Sequence, residues 1–105
     1  MDTFNKQPGD VLDYDVDMTR WFKTLPGDDI QSVELSVRSM AGGVPALVLG
    51  PSPHPPVVLM GANPQRFKVW IGGGDNYQDY VVTCLVSTAQ DRKKEVEFKI
   101  KVRDL

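Results

Sequence analysis

The stretch K-E-V-E-F-K-I-K-V-R, residues 94–103, alternates charged and apolar side chains without a break from Glu95 onward. The apolar residues that share one side of the extended chain are Val96, Phe98, Ile100 and Val102. A period of two predicts a β-strand with one face in a core and the other in water. Such clean alternation is typical of antiparallel sheet.

Shorter runs with the same period occur along the rest of the chain, separated by Gly, Pro, Asn and Asp. About seven short strands in 105 residues predict an all-β protein, an immunoglobulin-like antiparallel β-sandwich. One short helical turn near the N-terminus is predicted over residues 18–25, where apolar residues recur at helical spacing. The predicted strands cover residues 12–17, 30–38, 46–50, 57–60, 67–71, 79–88 and 94–103.

The chain divides into a polar start and one domain. Residues 1–9 contain the breaker pair Pro8-Gly9 and predict a flexible N-terminal arm, whereas residues 10–105 are expected to form a single β-sandwich domain. Phe4 is the only aromatic residue in the arm, and we expect the arm to become ordered on docking.

Charge and composition exclude several classes of protein. The net charge of -2 argues against a nucleic-acid binder that relies on a broad basic surface. No apolar run approaches the roughly 20 residues that span a bilayer, and the first ten residues lack a secretory h-region, so no membrane partner is expected. The single cysteine, Cys84, excludes an intrachain disulfide and fits assembly in a reducing cytoplasm.

The aspartates of D-Y-D-V-D, residues 13–17, have two readings. They are either half of a calcium-binding loop or the solvent-facing side of a β-strand. A calcium loop that starts at Asp13 requires glycine at its sixth position and glutamate at its twelfth, which here are Met18 and Thr24. The strand is therefore the prediction, and no metal site is expected.

No catalytic or cofactor-binding group is predicted. The run G-G-G-D, residues 72–75, lies between two strands and lacks the following helix that a phosphate loop requires. His54 is the only histidine, and although Ser52 is near, nothing in the sequence orients it as a base. The sequence therefore indicates that the protein is not an enzyme.

Aromatic and apolar residues outside the predicted core mark a candidate interaction surface. Trp70 faces away from Phe67, Val69 and Ile71, so it is either covered by the margin of the other sheet or available to a partner. Residues on the outward face of strand 79–88 make that face partly apolar. The candidate residues are Phe4, Pro53, His54, Pro55, Trp70, Tyr77, Val81 and Leu85.

The order of these features resembles small tailed-bacteriophage virion proteins of the fibre–tail adaptor type. The resemblance spans residues 8–103. Two local departures are Q-D-R at residues 90–92, where relatives tend to carry glycine, and the proline loop P-S-P-H-P-P at residues 51–56. The matching stretches are L-D-Y-D-V-D-M-T-R-W-F followed by G-D-D-I-Q-S, then V-W-I-G-G-G, D-Y-V-V-T-C-L-V-S-T-A-Q and K-E-V-E-F-K-I-K-V-R.

The resemblance implies a non-enzymatic structural protein of the virion, assembled in the cytoplasm of the bacterial host. Its expected partners are portal or connector, tail and fibre proteins, together with copies of itself in a symmetric ring. A second hypothesis is capsid decoration, in which the partner is the major capsid protein. A third is a carbohydrate- or receptor-binding module that uses Trp70, Tyr77 and the proline loop as an aromatic platform.

Overall fold

The computed structural model describes residues 1–104, and within that range eight strands and one short helix form. The predicted all-β fold is confirmed. Leu105, the last residue of the predicted domain, lies outside the described residues. The elements are β1 (Asp2–Lys6), β2 (Leu12–Asp17), α1 (Thr19–Phe22), β3 (Ile30–Ser39), β4 (Leu47–Leu49), β5 (Val57–Leu59), β6 (Arg66–Gly73), β7 (Asp79–Thr88) and β8 (Lys93–Val102).

The strands form two sheets packed face to face. One sheet has the order β1-β8-β7-β3, and in the other β6 pairs with β2 along one edge and with β4 and β5 along the opposite edge. The third, seventh and eighth strands share one sheet and the second and sixth share the other, which is the immunoglobulin arrangement. The sandwich departs from the antiparallel prediction at β1, which pairs with β8 in parallel.

The core is filled from both sheets by the side chains that the alternation predicts. Phe67, Val69 and Ile71 of β6 meet the inward residues of β7 and β8, and all of these except Val96 are fully or almost fully buried. Met18 precedes α1 and Phe22 ends it, and both side chains are buried in the same cluster. The short helical turn therefore contributes to the core, as its apolar spacing predicts.

Strand β1 is where the structure differs most from the sequence-based expectation. The sequence predicts a flexible arm over residues 1–9, whereas the structure pairs Asp2–Lys6 with residues 98–102 of β8. The ring of Phe4 lies 5.2 Å from that of Tyr14 and 5.7 Å from that of Phe98. Lys6 is buried, and its Nζ donates a hydrogen bond to the carbonyl of Gly73 at 2.6 Å. These long-range contacts hold a segment whose own sequence is polar.

The packing of Phe4 predicts the stability of this edge. Replacing Phe4 by Ala removes a half-buried ring from an aromatic cluster, so we expect the free energy of unfolding to fall by about 2 kcal/mol. Urea denaturation measures this change. Asn5→Ala, an exposed position of the same strand, is the control and is expected to change stability by less than about 0.5 kcal/mol. Equal stability of Phe4→Ala and the original protein would show that β1 is unpaired in solution.

A buried carboxylate ties the loop after α1 to the turn between β7 and β8. Asp28 accepts hydrogen bonds from the backbone N–H of Gln90 at 3.0 Å and from the guanidinium of Arg92 at 2.8 Å. Burial disfavours the charged form, but these donors outweigh it and hold the pKa of Asp28 below its usual value. Asp91 takes a φ of 64°, so it supplies the left-handed residue of the turn between β7 and β8.

The lowered pKa of Asp28 predicts a pH-dependent contribution to stability. A carboxyl group whose pKa is lower in the folded than in the unfolded state stabilises the fold above its unfolded pKa, and this is lost as the pH falls through the folded pKa. We therefore expect Asp28→Asn to lower the urea midpoint clearly at neutral pH. The difference should shrink below about pH 3, under the ordinary Asp pKa.

Asp104→Asn, at an exposed position, is the matched control and should leave the midpoint unchanged at both pH values. An Asp28→Asn deficit of the same size at neutral and acid pH would contradict the proposed role of its charge.

Candidate functional site

The proline loop is an excursion from one edge of the second sheet. β4 and β5 pair with successive parts of β6, and the chain leaves the sheet edge between them, opposite Trp70. The backbone N–H of Gly50 donates to the carbonyl of Trp70 at 2.9 Å, and the N–H of Trp70 donates to the carbonyl of Pro56 at 3.0 Å. Residues 51–55 are thus displayed outside the ladder, because prolines have no N–H to contribute to it.

Gly50 allows the two ends of the loop to meet. It has a φ of 69°, and a Cβ atom at this position would lie 2.7 Å from the backbone nitrogen of Pro56. Both the backbone conformation and the close approach therefore require glycine. The exposed proline loop has a fixed base on the sheet.

The imidazole of His54 stacks on the indole of Trp70. The ring centroids are 3.6 Å apart and the planes are within 5° of parallel. Both residues are half-buried, while Pro53 and Pro55 beside them are exposed. Trp70 is therefore covered by the proline loop and not by the margin of the other sheet. We call His54, Trp70, Pro53 and Pro55 the proline-loop surface.

Tyr77 is an isolated exposed side chain in the connection between β6 and β7. Its side chain is 74% exposed and its φ is 64°, while its backbone N–H donates to the carbonyl of Val102 at 2.9 Å. The guanidinium of Arg103 lies 6.0 Å from the ring centroid, and Arg103 also pairs with Asp79 at 2.8 Å. The ring of Tyr77 thus lies beside Arg103, whereas Trp70 stacks on His54.

Val81 and Leu85 lie on the outward face of β7, but only one of them is accessible. Val81 is 2% exposed, between its cross-strand partners Arg38 and Lys99. Long cationic side chains beside it cover apolar surface with their aliphatic stems. This burial argues against Val81 as part of an interaction surface. Leu85 remains half-buried, with glutamates as both cross-strand partners.

A groove that the sequence pattern does not indicate opens along the side of the sandwich away from the proline loop. It lies between the edges formed by β1 with β8 and by β2, next to α1, and encloses about 530 Å³. We call it the edge groove. Its apolar residues are Phe4, Val16, Met18, Trp21, Val96 and Phe98, and its charged residues are Asp2, Asp15, Asp17, Arg20, Lys94 and Glu97. Of the candidate interaction residues predicted from the sequence, Phe4 lines this groove. For the other lining residues, the sequence offered one indication, Trp21 on the predicted helical turn.

The aspartates of β2 face solvent on a strand, as their alternation predicts. Lys68 of β6 donates to Asp13 at 2.9 Å and to Asp15 at 3.1 Å, across the antiparallel pair. The hydrogen bond from Lys68 lowers the pKa of Asp13. Within residues 1–104, His, Cys, Asp and Glu side chains form no group of three or more placed to hold a metal ion. Exposed ion pairs of this kind add little to stability.

Cys84 lies in the core, as its parity predicts. Burial raises the pKa of its thiol to about 12, so the sulfur is protonated at neutral pH. Across residues 1–104, no helix has the length and apolar character needed to cross a bilayer.

Comparison with known proteins identifies the family. The sequence matches the model of Gp77, described as the podophage GP4 fiber-tail adaptor protein gp77, over residues 6–101. This chain belongs to the Gp77 family. The resemblance drawn from the sequence is thereby confirmed, and the family is one of structural proteins of the phage virion. The search of curated proteins finds no match.

The Gp77 match extends from the last residue of β1 almost to the end of β8, so it includes the proline-loop surface and the edge groove apart from Asp2 and Phe4. The proline loop and the Q-D-R turn both fall inside the matched range. The structure attaches both departures to the sheet framework, one through Gly50 and Trp70 and the other through Asp28. The match therefore covers both sheets apart from most of β1 and the last residue of β8.

The stack of His54 on Trp70 makes a measurable prediction. Replacing His54 by Ala should shift the NMR signal of the Trp70 indole N–H and lower the free energy of unfolding by about 0.5–1 kcal/mol. His54→Phe keeps a flat ring over the indole, so it serves as the matched control and should preserve stability. A Trp70 signal that is identical in His54→Ala and the original protein would mean that the stack is absent in solution.

Proposed function

We propose that this protein is a non-enzymatic adaptor that docks the fibres of a tailed phage to the tail or portal. Membership of the Gp77 family over residues 6–101 is the observation that carries this proposal. The fold is consistent with it, since a small rigid sandwich supplies edges and loops to partners while its core stays closed.

The arrangement of the two surfaces suits a bridging protein. β2 pairs with one side of β6, and β4 and β5 pair with the other side. The edge groove includes residues of β2, whereas the proline loop connects β4 to β5 on the other side of β6. The two surfaces therefore lie at opposite edges of the second sheet, so one subunit can contact two partners at once.

Contact between neighbouring copies follows from the same geometry. When one edge of a subunit meets the opposite edge of the next, the contact is heterologous, and such contacts close into rings at a suitable rotation. A ring of copies around the tail or portal would present the same fibre-binding surface repeatedly. The exposed edge of β3, with its outward Gln31, Glu34 and Arg38, is a third edge available in such an assembly.

We propose no enzymatic role because the reactive side chains are buried or engaged in other contacts. The thiol of Cys84 is buried and protonated at neutral pH. His54 is engaged in stacking on Trp70. Nucleophilic catalysis needs an accessible nucleophile within hydrogen-bond reach of an oriented base, and neither residue is placed that way.

Quantitative mass spectrometry of purified virions tests the proposal. We expect the protein in finished particles, in far fewer copies than the major capsid protein, and in the tail region of a reconstruction. Particles from which fibres have been stripped should retain it if its tail contact is independent of the fibres.

A copy number close to that of the major capsid protein would support capsid decoration instead. Absence from washed particles would overturn both structural roles. The major capsid protein in the same sample is the internal standard for recovery, so a low count cannot be confused with poor extraction.

A further inference from the structure

Strand β8 is covered along only half of its outer edge. β1 pairs with residues 98–102, and on this side no strand within residues 1–104 pairs with residues 93–97. The burial of the inward side chains follows this difference: Ile100 and Val102 are 0% exposed and Phe98 is 3% exposed, whereas Val96 is half-buried. The edge groove therefore opens beyond the first residue of β1, Asp2, which pairs with Phe98.

The uncovered half of β8 has the dimensions of a strand-binding site. Five residues of extended chain measure about 16 Å, which is the length of a typical short strand. An unpaired strand edge offers backbone N–H and C=O groups to an added strand, and neighbouring pockets then select its alternate side chains. Here the groove beside that edge is lined by the rings of Phe4 and Trp21 and by Val96.

The charge of the groove selects the kind of segment that fits it. Four carboxylates, those of Asp2, Asp15, Asp17 and Glu97, line it with only two cationic side chains, Arg20 and Lys94. Lys68 pairs with Asp15 from outside the groove, and the carboxylates still outnumber the cations. A segment with lysine or arginine side chains is therefore attracted, and an acidic one is repelled.

We propose that the edge groove binds an extended, cationic segment of a partner protein as an added strand on residues 93–97 of β8. The segment lies in line with β1 and places apolar side chains at alternate positions over Trp21 and Val96. Its lysine or arginine side chains meet the surrounding carboxylates. This inference rests on the proposed function, because it assigns one of the two docking surfaces of the adaptor.

A second copy of this chain is a poor source of such a segment. In the described part of the chain, apolar side chains separated by lysines occur in F-K-V, residues 67–69 of β6, and in F-K-I-K-V, residues 98–102 of β8. Those apolar side chains lie in the core, so a folded copy cannot present them. The segment is thus expected to come from a different protein.

NMR titration of the isotope-labelled full chain with a synthetic peptide tests the proposal. The probe is acetyl-K-V-K-V-K-V-amide, and acetyl-E-V-E-V-E-V-amide is its charge-reversed control. We expect the cationic peptide to shift the backbone amides of residues 93–97 and the indole N–H of Trp21, and to slow hydrogen exchange along that edge. The acidic peptide should leave these signals unchanged.

Two conservative variants test the electrostatic part. Asp2→Asn removes one carboxylate of the groove without changing its size and should weaken binding of the cationic peptide about 2–5-fold. Glu34→Gln removes an exposed carboxylate on β3, outside the groove, and should leave the affinity unchanged. Both positions are exposed, so both variants are expected to fold.

Three results would overturn the proposal: no shifts with the cationic peptide, shifts only outside the groove, or equal binding of both peptides. Concentration-dependent shifts of the same residues without peptide would assign the groove to a second copy and also overturn it. The titration uses isolated protein, whereas the proposed function is tested by virion content. A protein that is present in particles but does not bind the peptides would therefore overturn this inference and leave the proposed function standing.

Discussion

The structure depends on face-to-face burial of the alternate side chains of β6, β7 and β8. Phe67 and Ile71 from one sheet and Ile100 from the other are completely buried, so the register of each strand is fixed by the core. A slip of one residue in β8 would drive Lys99 and Lys101 into that core, which is prohibitive for unpaired charges. Because the register cannot slip, every edge and loop occupies a defined place.

Alternation in the sequence was enough to predict the strands that build this core, but not β1. Its polar residues surround a single ring, and its position is determined by contacts far along the chain: Phe4 with Phe98, and Lys6 with the carbonyl of Gly73. A local pattern carries no information about such partners. Polarity and the nearby Pro8-Gly9 pair point to a flexible arm when they are considered alone.

Parity assigned side chains to faces correctly, but exposure depends on neighbours that parity does not include. Trp70 points outward as predicted, and its cover comes from His54, which approaches only because Gly50 closes the loop against Pro56. Val81 also points outward and is nevertheless buried on an inner strand. The edge groove could not be predicted from the sequence for a related reason: it opens beyond the first residue of β1, and β1 itself was not predicted.

β1 covers only half of the outer edge of β8, and this partial cover connects the fold to the proposed role. A sandwich with every edge covered has little backbone left for partners, whereas long uncovered edges invite uncontrolled association. Here β1 shields residues 98–102 of β8 and leaves residues 93–97 beside a groove with excess carboxylates, so in the proposed strand addition charge would select cationic segments. The proline loop stands at the far edge of the other sheet, beyond β6. Because the core between them is closely packed, it holds the two surfaces at a fixed separation, which is what the proposed bridging role requires.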